Sequence, residues 1–227
     1  MKPFIWLLLI LFYSIFSHAQ DAKYYYEVNN QRAEEKAGYK NTKALIYFDI
    51  NDNQIDKSVF EKALKSRLVL QIPGDSLHHR KLINRDYYGQ ILQNDQFFQL
   101  LETELNLKLD RRKPIVIVYY SGKNKCNSSG TSSKYFFSKW HKQMKAGLLG
   151  KTNEVLYLHR KGEIPPKKYS LLGFKEDPQG IAQQLFFPYN YPCGSFAIIS
   201  KTGKYFAFYG EYGKPFIWKK VDQILGK

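Results

Sequence analysis

Ile115-Val116-Ile117-Val118-Tyr119-Tyr120, preceded by Pro114 and closed by Ser121-Gly122, is an unbroken β-branched and aromatic run. A half-exposed strand would alternate apolar and polar residues; a run without alternation is the signature of a strand buried on both faces of a sheet. The segments that follow should therefore supply cover on both sides.

Working toward the C-terminus, residues 131–149 place Phe136, Trp140, Met144 and Leu148 at four-residue steps, opposite Lys134, Lys139, Lys142 and Lys145. This spacing predicts an amphipathic helix, with Ser132 or Thr131 as cap and Gly150 as terminator. Val155-Leu156-Tyr157-Leu158 reads as a second short strand. After a long polar connection, Asp177-Pro178 followed by Ile181, Ala182, Leu185 and Phe186 opens a second helix with proline at its first position. Phe196-Ala197-Ile198-Ile199, Lys201-Thr202-Gly203-Lys204 and Tyr205-Phe206-Ala207-Phe208-Tyr209 form a hairpin, with Gly203 free to take the positive φ of the turn. Pro215 starts a last helix carrying Ile217, Trp218, Val221, Ile224 and Leu225 on one face.

The order from Lys113 onward is strand, helix, strand, helix, strand, strand, helix. Right-handed crossovers make the first two strands parallel neighbours, and the hairpin adds an antiparallel pair. The expected class is α/β, with a mixed four-stranded sheet and helices on both faces. In the first half, residues 43–48 read as a strand, 57–65 as a short helix, 67–72 as a second strand, and 96–107 as a helix bearing Phe97, Leu100, Leu101 and Leu105. Residues 43–112 are expected to extend the sheet within a single compact unit; a separate small domain is the alternative. Residues 20–42 show little periodicity and read as an irregular arm.

At the N-terminus, Lys2 and Pro3 precede the apolar run Phe4-Ile5-Trp6-Leu7-Leu8-Leu9-Ile10-Leu11-Phe12, and Ser17-His18-Ala19 supplies small residues for cleavage. Residues 1–19 are expected to be a secretory signal peptide, the apolar core being short for a membrane span. The mature chain would then be exported, to the periplasm or outside the cell, with no transmembrane segment. Its formal charge falls from +15 to +14 with the loss of Lys2. The basic residues are spread along the chain, densest at Lys123, Lys125 and Arg111-Arg112-Lys113, so the reading is a basic solvated surface. No nucleic-acid partner is expected of an exported chain, but an anionic envelope polymer is an alternative partner. The partner class is otherwise an unspecified protein or envelope component.

From Pro114 to Tyr120, with Cys126 shortly after, through Pro192 and Gly194-Ser195-Phe196-Ala197-Ile198-Ile199-Ser200-Lys201-Thr202-Gly203-Lys204, the chain resembles the thioredoxin-like superfamily. The resemblance covers residues 113–227, about half of the chain. It implies a cis proline beside the redox cysteines, which it would place at Pro192. It also implies two cysteines two residues apart at the start of the first helix, one attacking as thiolate and the other resolving the mixed disulfide. Here that window is Cys126-Asn127-Ser128-Ser129, with serine at the resolving position, so the usual two-cysteine motif is lacking.

In the resembled fold the start of that helix and the proline loop meet at one end of the sheet, so Cys126 and Cys193 would be adjacent. A structural disulfide, a reversible redox pair and two unpaired thiols all remain open, and an even cysteine count in an oxidising compartment favours the disulfide. Lys123 and Lys125 would lower the thiolate pKa of Cys126 if close to it.

Other constellations are thin. His78, His79, His141 and His159 match no compact metal spacing, so no metal is expected, and no cofactor motif appears. Asp49-Ile50-Asn51-Asp52-Asn53 has oxygen ligands at alternate positions, yet Gln54 replaces the glycine and Phe60 the glutamate of a calcium loop, which leaves a plain turn capping the next helix. Tyr24-Tyr25-Tyr26 and Tyr189-Asn190-Tyr191 could line a groove, although aromatics more often pack a core. The expected function is a non-catalytic structural or binding role. The alternatives are a thiol-dependent oxidoreductase or peroxide-reducing enzyme using Cys126 with Cys193, and a binder of anionic envelope polymers.

Overall fold

The computed structural model describes residues 45–73, 78–122, 133–189, 191 and 194–226. The described chain divides at Arg85: one compact unit ends there and takes in Pro188 and Tyr189, and the other runs from Asp86 to Phe187 and on from Tyr191.

In the first unit, β1 (Ile46–Phe48), β2 (Gln54–Ile55), β3 (Val69–Pro73) and β4 (His79–Asn84) form a sheet in the order β2-β1-β4-β3, with β1 and β4 parallel. Asp49 makes the turn between β1 and β2, its Oδ1 accepting the backbone N–H groups of Asn51 and Asn53 at 2.8 and 2.9 Å. That is an Asx turn. The Asn53 side chain and the two N–H groups hold the Asp49 carboxyl below its usual range. The turn thus joins two strands, and the following helix, α1 (Lys57–Lys65), has Asp56 at its N-cap without a side-chain cap bond. α1 buries Phe60, whose ring lies 4.9 Å from that of Tyr47.

The second unit contains β5 (Asp86–Gln90), α2 (Asn94–Glu104), β6 (Ile115–Tyr120), α3 (Lys134–Leu148), β7 (Val155–His159), β8 (Lys175–Glu176), α4 (Ile181–Phe186), β9 (Ser195–Ile199), β10 (Lys204–Tyr209) and α5 (Lys214–Ile224). Its sheet has the order β5-β10-β9-β6-β7-β8. β6, β7 and β8 are parallel, whereas β9 runs antiparallel to β6, β10 to β9 and β5 to β10. The class is α/β with mixed sheets, and the second sheet has six strands where the sequence suggested four. The four expected strands are its centre, β7-β6-β9-β10. The additions are the polar two-residue β8 and the glycine-containing β5, neither of which carries the apolar signal of an inner strand.

Every residue of β6 is buried, none being more than 6% exposed. Val116, Val118, Phe196, Ile198, Phe206 and Phe208 face Met144 and Leu148 of α3 and Ile217 and Val221 of α5. By alternation Tyr205, Ala207 and Tyr209 point the other way, where the Phe186 ring of α4 lies 4.9 Å from Tyr205 and Phe97 of α2 packs 5.8 Å from Phe186. Helices therefore cover both faces. Among the described residues, no helix is long and apolar enough to cross a membrane.

Residues 43–112 do not behave as one extension of this sheet. Strands β1 to β4 close a sheet of their own, and only β5 and α2 belong to the second unit. The apolar stripe of α3 also differs in detail from the expected one. Phe136 is 58% exposed, while Phe137 is half-buried and His141, Met144 and Leu148 are buried. Four-residue steps drift by about 40° each on a 3.6-residue helix, so a stripe drawn at strict fours rotates off the core within three steps. Ser133 caps α3, its Oγ accepting the Phe136 N–H at 3.3 Å. The hairpin turn matches the expectation, with Gly203 at φ +81° and its N–H bonded to the Ser200 carbonyl.

α3 and α5 meet at Gly147. A Cβ there would stand 2.3 Å from the indole of Trp218, whose Nε1 donates to the Met144 carbonyl at 3.0 Å. The missing side chain is what admits the ring. Gly147→Val is expected to lower stability by about 2 kcal/mol through overpacking and to shift tryptophan emission. A urea midpoint equal to that of the unmodified protein would contradict the close approach.

Candidate functional site

In a sheet whose strand order reverses about a central strand, ligands bind beyond the carboxyl ends of the parallel strands, at the point where the connections diverge. Here that point is the end of β6, with β7 on one side and β9 on the other. Several segments are tied together there. Ser121 Oγ donates to the Tyr191 carbonyl at 2.6 Å, and the Arg160 N–H donates to the Tyr120 carbonyl at 2.9 Å. Gly194, just before β9, accepts from the Gly210 N–H at 2.8 Å. The Glu163 carboxylate folds back against Gly122, 2.8 Å from where a Cβ would stand.

The Ser121–Tyr191 bond brings together the stem of the segment that holds Cys126 and the stem of the segment that holds Pro192 and Cys193. Cys126, Pro192, Cys193, Lys123, Lys125 and Ser129 themselves lie outside the described residues, as do Asp75, residues 20–42 and Asn190. The cis state of Pro192 and the pairing of the cysteines fall with them.

Tyr119 and Tyr120 end β6 pointing to opposite faces. Tyr120 is 5% exposed, and its hydroxyl has no hydrogen-bond partner among the described residues. Burial, then the Glu163 carboxylate and Tyr169, push it up to about 12. Its ring sits among Tyr169 and Phe174, at 6.1 and 6.2 Å, and Lys168 lies over the Phe137 and Tyr169 rings at 5.3 Å. The arrangement combines a buried neutral phenol, a half-buried carboxylate and an aromatic wall.

On the opposite face Tyr119 stacks on Phe187 at 4.6 Å, and its hydroxyl lies 3.4 Å from Asp177 Oδ2. Asp177 is 1% exposed and accepts the N–H groups of Ala182 and Gln183 at 3.0 and 2.9 Å, while its own N–H donates to the His159 carbonyl. Through its carboxylate and its backbone N–H, Asp177 thus joins β6, β7 and the start of α4. The sequence marked Asp177 only as a helix opener, and nothing local signals its burial.

The histidines separate. His141 is buried, 3.1 Å from the Tyr157 hydroxyl, and burial pushes it down to about 4, with Lys145 adding to the effect. It is a neutral core residue. His159 Nδ1 donates to the Arg160 carbonyl at 3.0 Å, and the His79 ring lies 4.9 Å from Phe48 in the first unit. Among the described residues, no group of three or more His, Cys, Asp or Glu side chains is placed to hold a metal ion. A scan against protein-family models gives no match, and a search of curated proteins gives no significant match.

Burial raises the Asp177 carboxyl to about 6, outweighing the downward pull of its two N–H donors and of Tyr119. A carboxyl raised on folding contributes stability that is fully present below its unfolded value near 4 and is lost as pH climbs through 6. The loss is at most about 3 kcal/mol. Asp177→Asn should remove this slope while lowering stability at pH 4, because an amide N–H₂ then faces a backbone donor. Urea midpoints of both proteins between pH 4 and 7 measure it; parallel profiles would exclude Asp177 as the titrating group.

Proposed function

We propose that residues 113–227 form a thioredoxin-like domain used in a non-catalytic structural or binding role, in an exported protein whose Cys126 and Cys193 are bridged. The spatial order β7-β6-β9-β10 carries the reading. It has a parallel first pair, an antiparallel hairpin and helices on both faces. These features support the resemblance, which rests on the order strand, helix, strand, helix, strand, strand, helix. The Ser121–Tyr191 hydrogen bond supports the bridge, because it brings the stems of the two cysteine-bearing segments to one end of the sheet.

The serine at position 129 removes the resolving thiol of the usual motif, which favours binding over dithiol exchange. A bridge closing a loop of nearly seventy residues stabilises the fold by about 4 kcal/mol at most on chain-entropy grounds. The expected role for the carboxyl end of β6 is then recognition, with the half-buried Glu163 carboxylate as the polar group offered.

Intact-mass measurement of the secreted protein, with and without reductant, tests both parts. The expected result is a gain of two hydrogens only after strong reduction under denaturing conditions, with Cys126→Ala lowering the urea midpoint. Two thiols alkylated at once in the unreduced protein would overturn the bridge. Rapid reduction by glutathione, with turnover of a disulfide or peroxide substrate, would replace the binding role by thiol chemistry.

A further inference from the structure

At the β5 edge of the second sheet, between β5 and the last turns of α5, lies a groove of about 520 Å³ lined by Tyr88, Gln90, Lys204, Lys220, Gln223 and Ile224 among others. Its volume falls in the range of small-ligand sites. The ladder register puts Tyr88 opposite Phe206 and Gln90 opposite Lys204, on the face that α5 covers.

Tyr88 is 63% exposed, an unusual position for a large ring, yet it is held in place. Its ring lies 5.0 Å from Phe206, and its hydroxyl accepts a hydrogen bond from Lys220 Nζ at 2.8 Å. Lys220 is itself fixed, 4.3 Å over the Phe206 ring and 4.0 Å from Asp86, with its side chain only 14% exposed. A ring locked in this way presents its face to solvent at little further entropic cost on binding.

The charge of the groove is one-sided. Lys204 and Lys220 line it, and among the described residues no carboxylate is part of the lining. Two amides, Gln90 and Gln223, complete the polar rim. An exposed tyrosine face stacks on the C–H face of a pyranose ring, because the electron-rich π surface attracts the partly positive hydrogens. The exposed Lys204 matches a carboxylate carried on such a ring, and the amides match its hydroxyls.

We propose that this groove binds an acidic polysaccharide, with Tyr88 as the stacking platform, Lys204 as the carboxylate partner and Lys220 as the residue that holds the Tyr88 ring in place. A purely apolar ligand or a neutral glycan would leave Lys204 without a counter-charge in the groove, whereas Lys220 already has Asp86 beside it. The site is separate from the carboxyl end of β6, so it stands whether or not the cysteines are bridged.

Titration of the full mature protein with oligogalacturonate tests this, with a neutral dextran oligomer and polyglutamate as comparison probes. Oligogalacturonate should bind, weakening as salt rises from about 50 to about 300 mM, while dextran does not. Tyr88→Ser and Lys204→Glu should each weaken binding by about tenfold, whereas Lys139→Glu, on the exposed side of α3, should change it by less than about twofold. Both test positions are exposed, and unchanged thermal melting would show that the fold is intact. Absence of binding would overturn the proposal. Equal losses in all three variants would reduce the effect to diffuse charge, and polyglutamate binding as tightly as the glycan, indifferent to Tyr88→Ser, would remove the stacking site.

Discussion

The central strand β6 has no residue that reaches water, so everything around it has to provide cover. Ile115, Val116 and Ile117 are fully buried, and Val118, Tyr119 and Tyr120 nearly so. Side chains of this size each gain about 1.5–3 kcal/mol when removed from water, but only if both faces of the sheet are closed. α3 and α5 close one face, and α2 and α4 the other. The backbone groups of the strand are satisfied on both edges, by parallel β7 and antiparallel β9, so β6 has no open edge to protect.

A parallel neighbour forces a crossover, and α3 is that crossover. The consequence is geometric: β6 and β7 end at the same end of the sheet, while the connection into β9 must return to that end from the other face. The strand order therefore reverses at β6, and Ser121 at its end is brought beside Tyr191. The Ser121–Tyr191 hydrogen bond records this convergence. The Arg160 N–H and the Glu163 carboxylate close the same end from the β7 side.

Polar burial and basic charge are managed by different means. Asp177 and His141 are both withdrawn from water, and each keeps partners: two N–H groups and a phenol for the first, the Tyr157 hydroxyl for the second. The lysines, in contrast, stay near the surface and spread over aromatic rings. Lys145 lies over Tyr157, Lys168 over Phe137 and Tyr169, Lys214 over Trp140, and Lys220 over Phe206. Such contacts let a strongly basic chain coat its aromatic elements, because the stem packs against the ring while the ammonium meets the electron-rich face.

Local pattern along the chain suffices for the elements whose burial is one-dimensional. The β-branched run of β6, the hairpin with Gly203 at its turn and the final helix after Pro215 are all legible, because apolar periodicity and turn chemistry are local. The cap of α3 is Ser133 rather than Thr131 or Ser132, and Phe137 rather than Phe136 turns toward the core, since a four-residue rule accumulates angle. Which sheet each weakly apolar segment joins follows from three-dimensional packing and not from local pattern. His79-Arg80-Lys81-Leu82-Ile83-Asn84 and Asp86-Tyr87-Tyr88-Gly89-Gln90 are adjacent in sequence and similar in polarity, yet the first closes one sheet and the second edges the other. Pairing energy there comes from the register with a distant strand, as Gly89 opposite Tyr205 shows, and no local pattern encodes the partner. The same holds for Asp177. Its aspartate-proline pair announces a helix start, but its burial against Tyr119 depends on how β6 and α4 pack, a contact spanning 58 residues.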